Sequence, residues 1–323
     1  MKFHLQFPIK PFFKRINYSD KLFFIGGCFA DNIGKFLTHH KYKTIINPNG
    51  ISYNPISIAS SINRYIDNSL VSADELFLYN DCWHSWQHHS CFSGQDKVQT
   101  LAIINHEISS ANTFIKTAGY LFITFGSAYV YNHNASSQRV ANCHKVPSTE
   151  FTKQLISVEE IVAVYTDLLN KMKLLNEGLV VVFTVSPVRY IRDGVVENNL
   201  SKSILIQAVH KIIEMHTNTC YFPAYELLMD DLRDYRFYKE DMVHPNETAL
   251  NYVCDKFVKA AIDEKSQELV AVIKEIKDAI HHKPFNSNTA AYEKFKALNL
   301  KKCKTIQADF SDMDMSSEIA FFS

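Results

Sequence analysis

Seven consecutive residues, Leu179-Val180-Val181-Val182-Phe183-Thr184-Val185, are apolar or β-branched and stop at Ser186-Pro187. A short run closed by a breaker, with no polar alternation, fits a strand covered on both faces. Similar runs recur at Leu22-Phe23-Phe24-Ile25 and Tyr120-Leu121-Phe122-Ile123-Thr124-Phe125, and more briefly at Ile45-Ile46 and Cys220-Tyr221-Phe222. Between them the spacing predicts helices near 29–39, 56–65, 95–116, 158–175 and 199–216. A further helix runs from an Asn246 N-cap to about 262. Strands alternating with helices imply crossover connections and a parallel sheet flanked on both faces. The expectation is an α/β fold, a three-layer doubly wound parallel sheet, over residues 1–263. From about 264 Lys and Glu rise, which predicts a helical extension over 264–323, one helix reaching 281 and a partly disordered tail following it.

A chain of 323 residues can bury one large core plus an appendage. Its 34 basic and 34 acidic residues cancel, so no basic excess marks a nucleic-acid surface. No run is long and apolar enough to span a bilayer. The start, Met1-Lys2-Phe3-His4-Leu5-Gln6-Phe7-Pro8, lacks an uninterrupted apolar segment and a small-residue cleavage site. The seven cysteines (28, 82, 91, 143, 220, 254 and 303) are odd in number and scattered, which argues for reduced thiols and a cytoplasmic protein.

In open parallel sheets, sites form beyond the carboxyl ends of the strands. Gly26-Gly27-Cys28 follows the first run, Gly50 the second and Gly126-Ser127-Ala128 the third, while Asp241-x-x-His244 precedes the helix capped by Asn246. A lone cysteine is more often buried packing than chemistry. Cys28, however, falls where a strand turns into a helix. The positive end of the helix favours thiolate there, and preceding glycines leave its N–H free to meet an oxyanion. Asp241 and His244 are three apart, so in a turn the carboxylate reaches the imidazole and fixes its tautomer. Cys82, His84, His88, His89 and Cys91 are zinc-ligand types within ten residues. The alternative is a hairpin with hydrogen-bonded imidazoles, because so compact a cluster cannot wrap one tetrahedral ion. His144, beside Cys143, is a further candidate or a core turn. No cofactor and no metal are implied.

Taken in order, these clusters resemble the GSCFA family, a branch related to the SGNH (GDSL-like) hydrolases. Phe24-Ile25-Gly26-Gly27-Cys28-Phe29-Ala30 resembles the naming motif, and Asn47-Pro48-Asn49-Gly50-Ile51-Ser52-Tyr53-Asn54-Pro55 the second block. His88-His89-Ser90, Thr124-Phe125-Gly126-Ser127-Ala128, Asn142-Cys143-His144-Lys145-Val146-Pro147, Ser186-Pro187-Val188-Arg189 and Asp241-Met242-Val243-His244-Pro245 are similar to further blocks. The likeness covers roughly residues 1–260. The motif's Ser is Gly27 here. Laying the motif on the hydrolases' Gly-Asp-Ser puts Cys28 at the nucleophile position. The resemblance implies an oxyanion hole from the Cys28 N–H and the Gly50 region. The hydrolases' third-block Asn falls at Ala128, leaving a backbone N–H or Asn54 to replace it.

The resulting expectation is an acyl hydrolase or acyltransferase acting on an ester or thioester, O-acyl carbohydrates included. Cys28 attacks, His244 is general base then acid, and Asp241 orients it. Gly27, Gly50, Asn54, Gly126, Ser127, His89, His144 and Arg189 surround the substrate, with Arg189 and Lys145 as candidates for a substrate phosphate or carboxylate. The partner is a small-molecule or carbohydrate acyl substrate, with no nucleic acid and no membrane. Two alternatives are a non-catalytic binding protein on the same fold and a zinc-dependent hydrolase using His84, His88 and His89.

Overall fold

The computed structural model describes residue 5 and residues 7–286 and 288–323. Its elements are β1 (Lys21–Gly26), α1 (Cys28–His39), β2 (Lys43–Ile46), α2 (Pro55–Asp67), β3 (Leu76–Tyr79), β4 (Cys82–Ser85), α3 (Lys97–Ile115), β5 (Tyr120–Phe125), β6 (Tyr129–His133), β7 (Gln138–Val140), β8 (Phe151–Leu155), α4 (Val158–Leu175), β9 (Val180–Val185), α5 (Val195–Met215) and β10 (Thr219–Tyr221). After them come α6 (Ala224–Glu226), α7 (Glu247–Ala261), α8 (Glu264–His281), α9 (Ala290–Asp309) and α10 (Ser316–Phe322).

Five strands pair in parallel in the order β10-β9-β5-β1-β2. Every residue of β5 and β9 is buried, because successive side chains enter two different cores. Phe23, Ile25, Leu121, Ile123, Val181 and Phe183 pack with residues of α2, α3, α4 and α5. Leu22, Phe24, Tyr120, Phe122, Val180 and Val182 pack with residues of α1, α7, α8, α9 and α10 on the opposite face. Two-sided burial turns a period of two into continuous apolar runs. The arrangement is the expected three-layer doubly wound α/β sheet. Its strand order reverses between β1 and β5, and the crevice beyond their carboxyl ends is the switch point where ligands bind in such sheets.

Two features differ from the sequence reading. First, a β3–β4 hairpin and a small antiparallel sheet ordered β7-β6-β8 are inserted between the crossover helices. Second, the tail expected to be partly disordered folds into α9 and α10. Cys303, Ile306 and Phe322 join the core cluster of α1 and α7, so 264–323 shares that core rather than building its own. Among the described residues no helix is long and apolar enough to cross a membrane.

Candidate active site

Gly26 ends β1 at φ +145°, and a Cβ there would lie 2.4 Å from the Thr124 carbonyl oxygen, so only glycine lets β1 and β5 close at this point. Asn47 Oδ1 accepts the Gly26 N–H at 2.8 Å, which ties the ends of β1 and β2 together. Gly27 is the N-cap of α1 and supplies no side-chain cap. Cys28 is the first helical residue, a free thiol of intermediate exposure. It sits beside the first N–H groups of the helix, which have no partner within it.

Several backbone donors at this edge of the sheet are committed. Gly50, at φ +76°, donates its N–H to the Asn47 carbonyl at 2.7 Å. A Cβ at Gly50 would meet His89 Cβ at 2.2 Å, so this glycine lets His89 approach. The Gly126 and Ser127 N–H groups both donate to the Tyr53 carbonyl, at 2.7 and 3.0 Å, and the Ala128 N–H donates to Ser201 Oγ at 2.8 Å. Asn54 caps α2: its Oδ1 accepts the Ser57 N–H at 2.8 Å and its Nδ2 donates to Ser57 Oγ at 3.0 Å. The N–H groups of Gly50, Gly126 and Ser127 and one amide hydrogen of Asn54 thus hold loops in place.

On the loop before α7, the Asp241 carboxylate accepts the N–H groups of Val243 and His244, each at 2.9 Å, and lies 2.7 Å from His244 Nδ1. The His244 N–H bond, then the Val243 bond, then the imidazole hold Asp241 down to about 2. Nδ1 is thereby engaged with the carboxylate. The loop is fastened to the chain following β9: the Arg189 N–H donates to the Val243 carbonyl at 3.2 Å, and the Arg189 guanidinium lies over the Tyr238 ring at 4.3 Å. Arg189 braces this loop, whereas Lys145 is exposed.

The histidine cluster is mostly structural. His84 has Nδ1 2.6 Å from Ser93 Oγ and Nε2 3.0 Å from the Tyr79 carbonyl. His144 is buried, with Nε2 2.8 Å from the Ser85 carbonyl and Nδ1 3.3 Å from Ser90 Oγ. Burial pushes His88 down to about 3 and His144 down to about 4, leaving both neutral near pH 7. His89 Nδ1 accepts the Cys91 N–H at 3.2 Å. Among the described residues no three His, Cys, Asp or Glu side chains are grouped to hold a metal ion. His144 fixes the 141–146 loop to the β3–β4 hairpin, and His89 fixes the hairpin's end to Gly50.

Two residues at this edge were not singled out from the sequence. The ring of Tyr53 lies against Gly27 and Gly126. Lys202, on α5 and only 1% exposed, donates to the Gly126 and Ser186 carbonyls at 2.7 and 2.8 Å. The available signal for Lys202 was its place on the buried stripe Asn198, Ser201, Lys202, Leu205, Val209, Ile212.

A model of the GSCFA family matches residues 21–257, which hold all five strands of the parallel sheet and the candidate site residues. The chain belongs to the GSCFA family. A second model, described as the C-terminal domain of GSCFA proteins, matches residues 273–323, the stretch holding the second half of α8 with α9 and α10. No curated protein was found to match this GSCFA chain. Among solved structures it is similar to a carbohydrate esterase family 3 protein from Talaromyces cellulolyticus, with a TM-score of 0.35 and 9% identity over 79% of this chain and 99% of that one. It is also similar to an acetyl xylan esterase from the rumen bacterium Butyrivibrio proteoclasticus, with a TM-score of 0.39 and 12% identity over 75% of this chain and 63% of that one.

Proposed function

We propose that this protein is an acyl hydrolase or acyltransferase that uses Cys28, His244 and Asp241 on an ester or thioester, O-acyl carbohydrates included. One observation carries the reading: the 2.7 Å contact between the Asp241 carboxylate and His244 Nδ1. A carboxylate held ionised by two backbone N–H groups fixes the tautomer that leaves Nε2 basic. It also stabilises the imidazolium that forms when the nucleophile loses its proton. Cys28 then adds to the acyl carbon, and His244 returns the proton to the leaving group. The helix terminus at Cys28 supplies positive potential where negative charge develops.

A second reading, a non-catalytic binding protein on the same fold, is favoured by the donor census: the N–H groups of Gly126, Ser127 and Ala128 are all bonded internally. A panel of acetyl esters, O-acetylated oligosaccharides and acyl thioesters separates the two. Wild type should turn over at least one class, Cys28→Ala should be inactive, and Asp241→Asn should lose roughly 10²–10⁴-fold in kcat. Turnover by Cys28→Ala equal to wild type overturns the triad, and a panel silent throughout supports the binding protein.

A further inference from the structure

An acyl-transfer site needs donors where the carbonyl oxygen becomes negative, and the loops around Cys28 have spent several of theirs. Gly50 bonds to Asn47, Gly126 and Ser127 to Tyr53, Ala128 to Ser201, and Asn54 to Ser57. Two donors stand out beside the sulfur. One is the Cys28 N–H, which at the first helical position has no partner within the helix. The other is the phenol of Tyr53.

The placement of Tyr53 is tightly specified. Its carbonyl takes the N–H groups of Gly126 and Ser127. Its ring edge lies along Gly27, where a Cβ would stand 3.2 Å from Cδ1 and 3.4 Å from Cε1. On the other side, a Cβ at Gly126 would stand 3.2 Å from the Tyr53 Cδ1. Two residues without side chains thus make room for one aromatic ring across the switch point. The edge on Gly27 runs through Cδ1 and Cε1 towards the hydroxyl, alongside the residue that immediately precedes Cys28. Tyr53 is 48% exposed, so a ligand can reach it. Burial first, then the charge of Cys28, pushes the phenol up to about 12, which keeps its proton in place near pH 7.

We propose that the Tyr53 hydroxyl is a catalytic residue, the second oxyanion donor beside the Cys28 N–H. The proposal rests on the acyl-transfer reading above. As the Cys28 thiolate forms its bond to the acyl carbon, the carbonyl π pair moves onto oxygen, and the Tyr53 O–H and Cys28 N–H donate to that oxygen. When the pair returns, the bond to the leaving group breaks. The leaving atom departs with that bond's electrons and takes the proton held by His244. The Tyr53 proton is not transferred.

The test compares two reactions of Cys28 in the full chain: acylation by p-nitrophenyl acetate, and alkylation by iodoacetamide. Both are followed by mass spectrometry of the Cys28 peptide. Acylation passes through an oxyanion, whereas alkylation is a displacement at a tetrahedral carbon and does not. Any effect of the phenol on the thiolate itself is common to both and cancels in their ratio. Tyr53→Phe should slow acylation by about 10²-fold relative to alkylation, the loss typical of one oxyanion donor. An unchanged ratio overturns the proposal, whether the two rates stay the same or fall together. A wild-type Cys28 that is alkylated but never acylated overturns the acyl-transfer reading and the donor role with it. That result is distinct from a ratio insensitive to Tyr53.

Discussion

At the scale of single residues, Gly27 is where this chain parts from its family's motif, and the structure gives the substitution a physical meaning. With φ −80° and ψ −168°, Gly27 needs no special backbone freedom, so a serine fits its conformation. A serine side chain would supply the cap that α1 lacks, which stabilises by a few tenths of a kcal/mol relative to glycine. Against this, its Cβ would stand 3.2 Å from Tyr53 Cδ1, so the ring must give by a few tenths of an ångström. Tyr53 is half-exposed and can move. Gly27→Ser should therefore melt within a degree or two of wild type, about ±0.5 kcal/mol. Its acylation rate at Cys28 should fall several-fold, because the phenol is displaced. A silent wild type beside an active Gly27→Ser, assayed side by side, would assign the nucleophile to position 27 instead.

At the scale of elements, the sequence was legible where burial is two-sided and obscure where it is one-sided or narrow. The runs at β1, β5 and β9 stand out because both faces are covered, and the Asn246 cap could be read directly: its Oδ1 accepts the Ala249 N–H at 3.1 Å. Strands β6, β7 and β8 hold five, three and five residues, most of them half-buried or exposed, too short and too polar to separate from loop. Helix α9 buries only Asn299, Cys303 and Ile306, a stripe too thin to rise above its polar surroundings. Among the candidate residues, the place of Cys28 between a strand and a helix and the contact of Asp241 with His244 could be read from the sequence. For Lys202 the sequence offered only a place on a helical stripe, because its partners are main-chain carbonyls that no side-chain pattern reveals. Burial pulls Lys202 from 10.5 down to about 7. Its folded pKa is thus below its unfolded one, so between those values the unfolded chain binds more protons and stability rises with pH. From pH 7 to pH 10, wild type should gain stability in urea relative to Lys202→Met, which has nothing there to titrate. Titrating tyrosines are common to both proteins and cancel in the comparison. Parallel pH profiles would mean that the ammonium stays charged while buried.

At the scale of the whole molecule, the C-terminal helices close the face of the sheet opposite α2–α5, and a buried carboxylate adds to the apolar contacts that hold them. Helix α10 has seven residues, too few to be stable alone. It is pinned by Phe322 in the core and by Glu318, which is 2% exposed. Glu318 Oε1 lies 2.9 Å from Lys41 Nζ, between α1 and β2, and 2.9 Å from Lys277 Nζ on α8. Lys41 Nζ also donates to the Asp314 carbonyl at 2.8 Å, so three parts of the chain converge on one ion cluster. Burial opposes the charge on Glu318, but the bonds from Lys41, Lys277 and Ser317 prevail and hold it down to about 2, against 4.5 unperturbed. A carboxylate with a depressed folded pKa contributes stability that is fully present above its unfolded value and is lost as pH falls through the folded one. The advantage of wild type over Glu318→Gln should therefore be constant above about pH 5, shrink through pH 4 and 3, and vanish near pH 2. At pH 7 the variant keeps hydrogen-bonding capacity but leaves two ammonium groups facing each other without a counter-charge, so its melting temperature should drop by several degrees. The first loss should be local. Limited proteolysis at pH 7 should cut the Glu318→Gln protein between α9 and α10, at residues 310–315, before the sheet unfolds. Equal resistance of both proteins in that segment would show that Phe322 and its neighbours hold the helix without the charge.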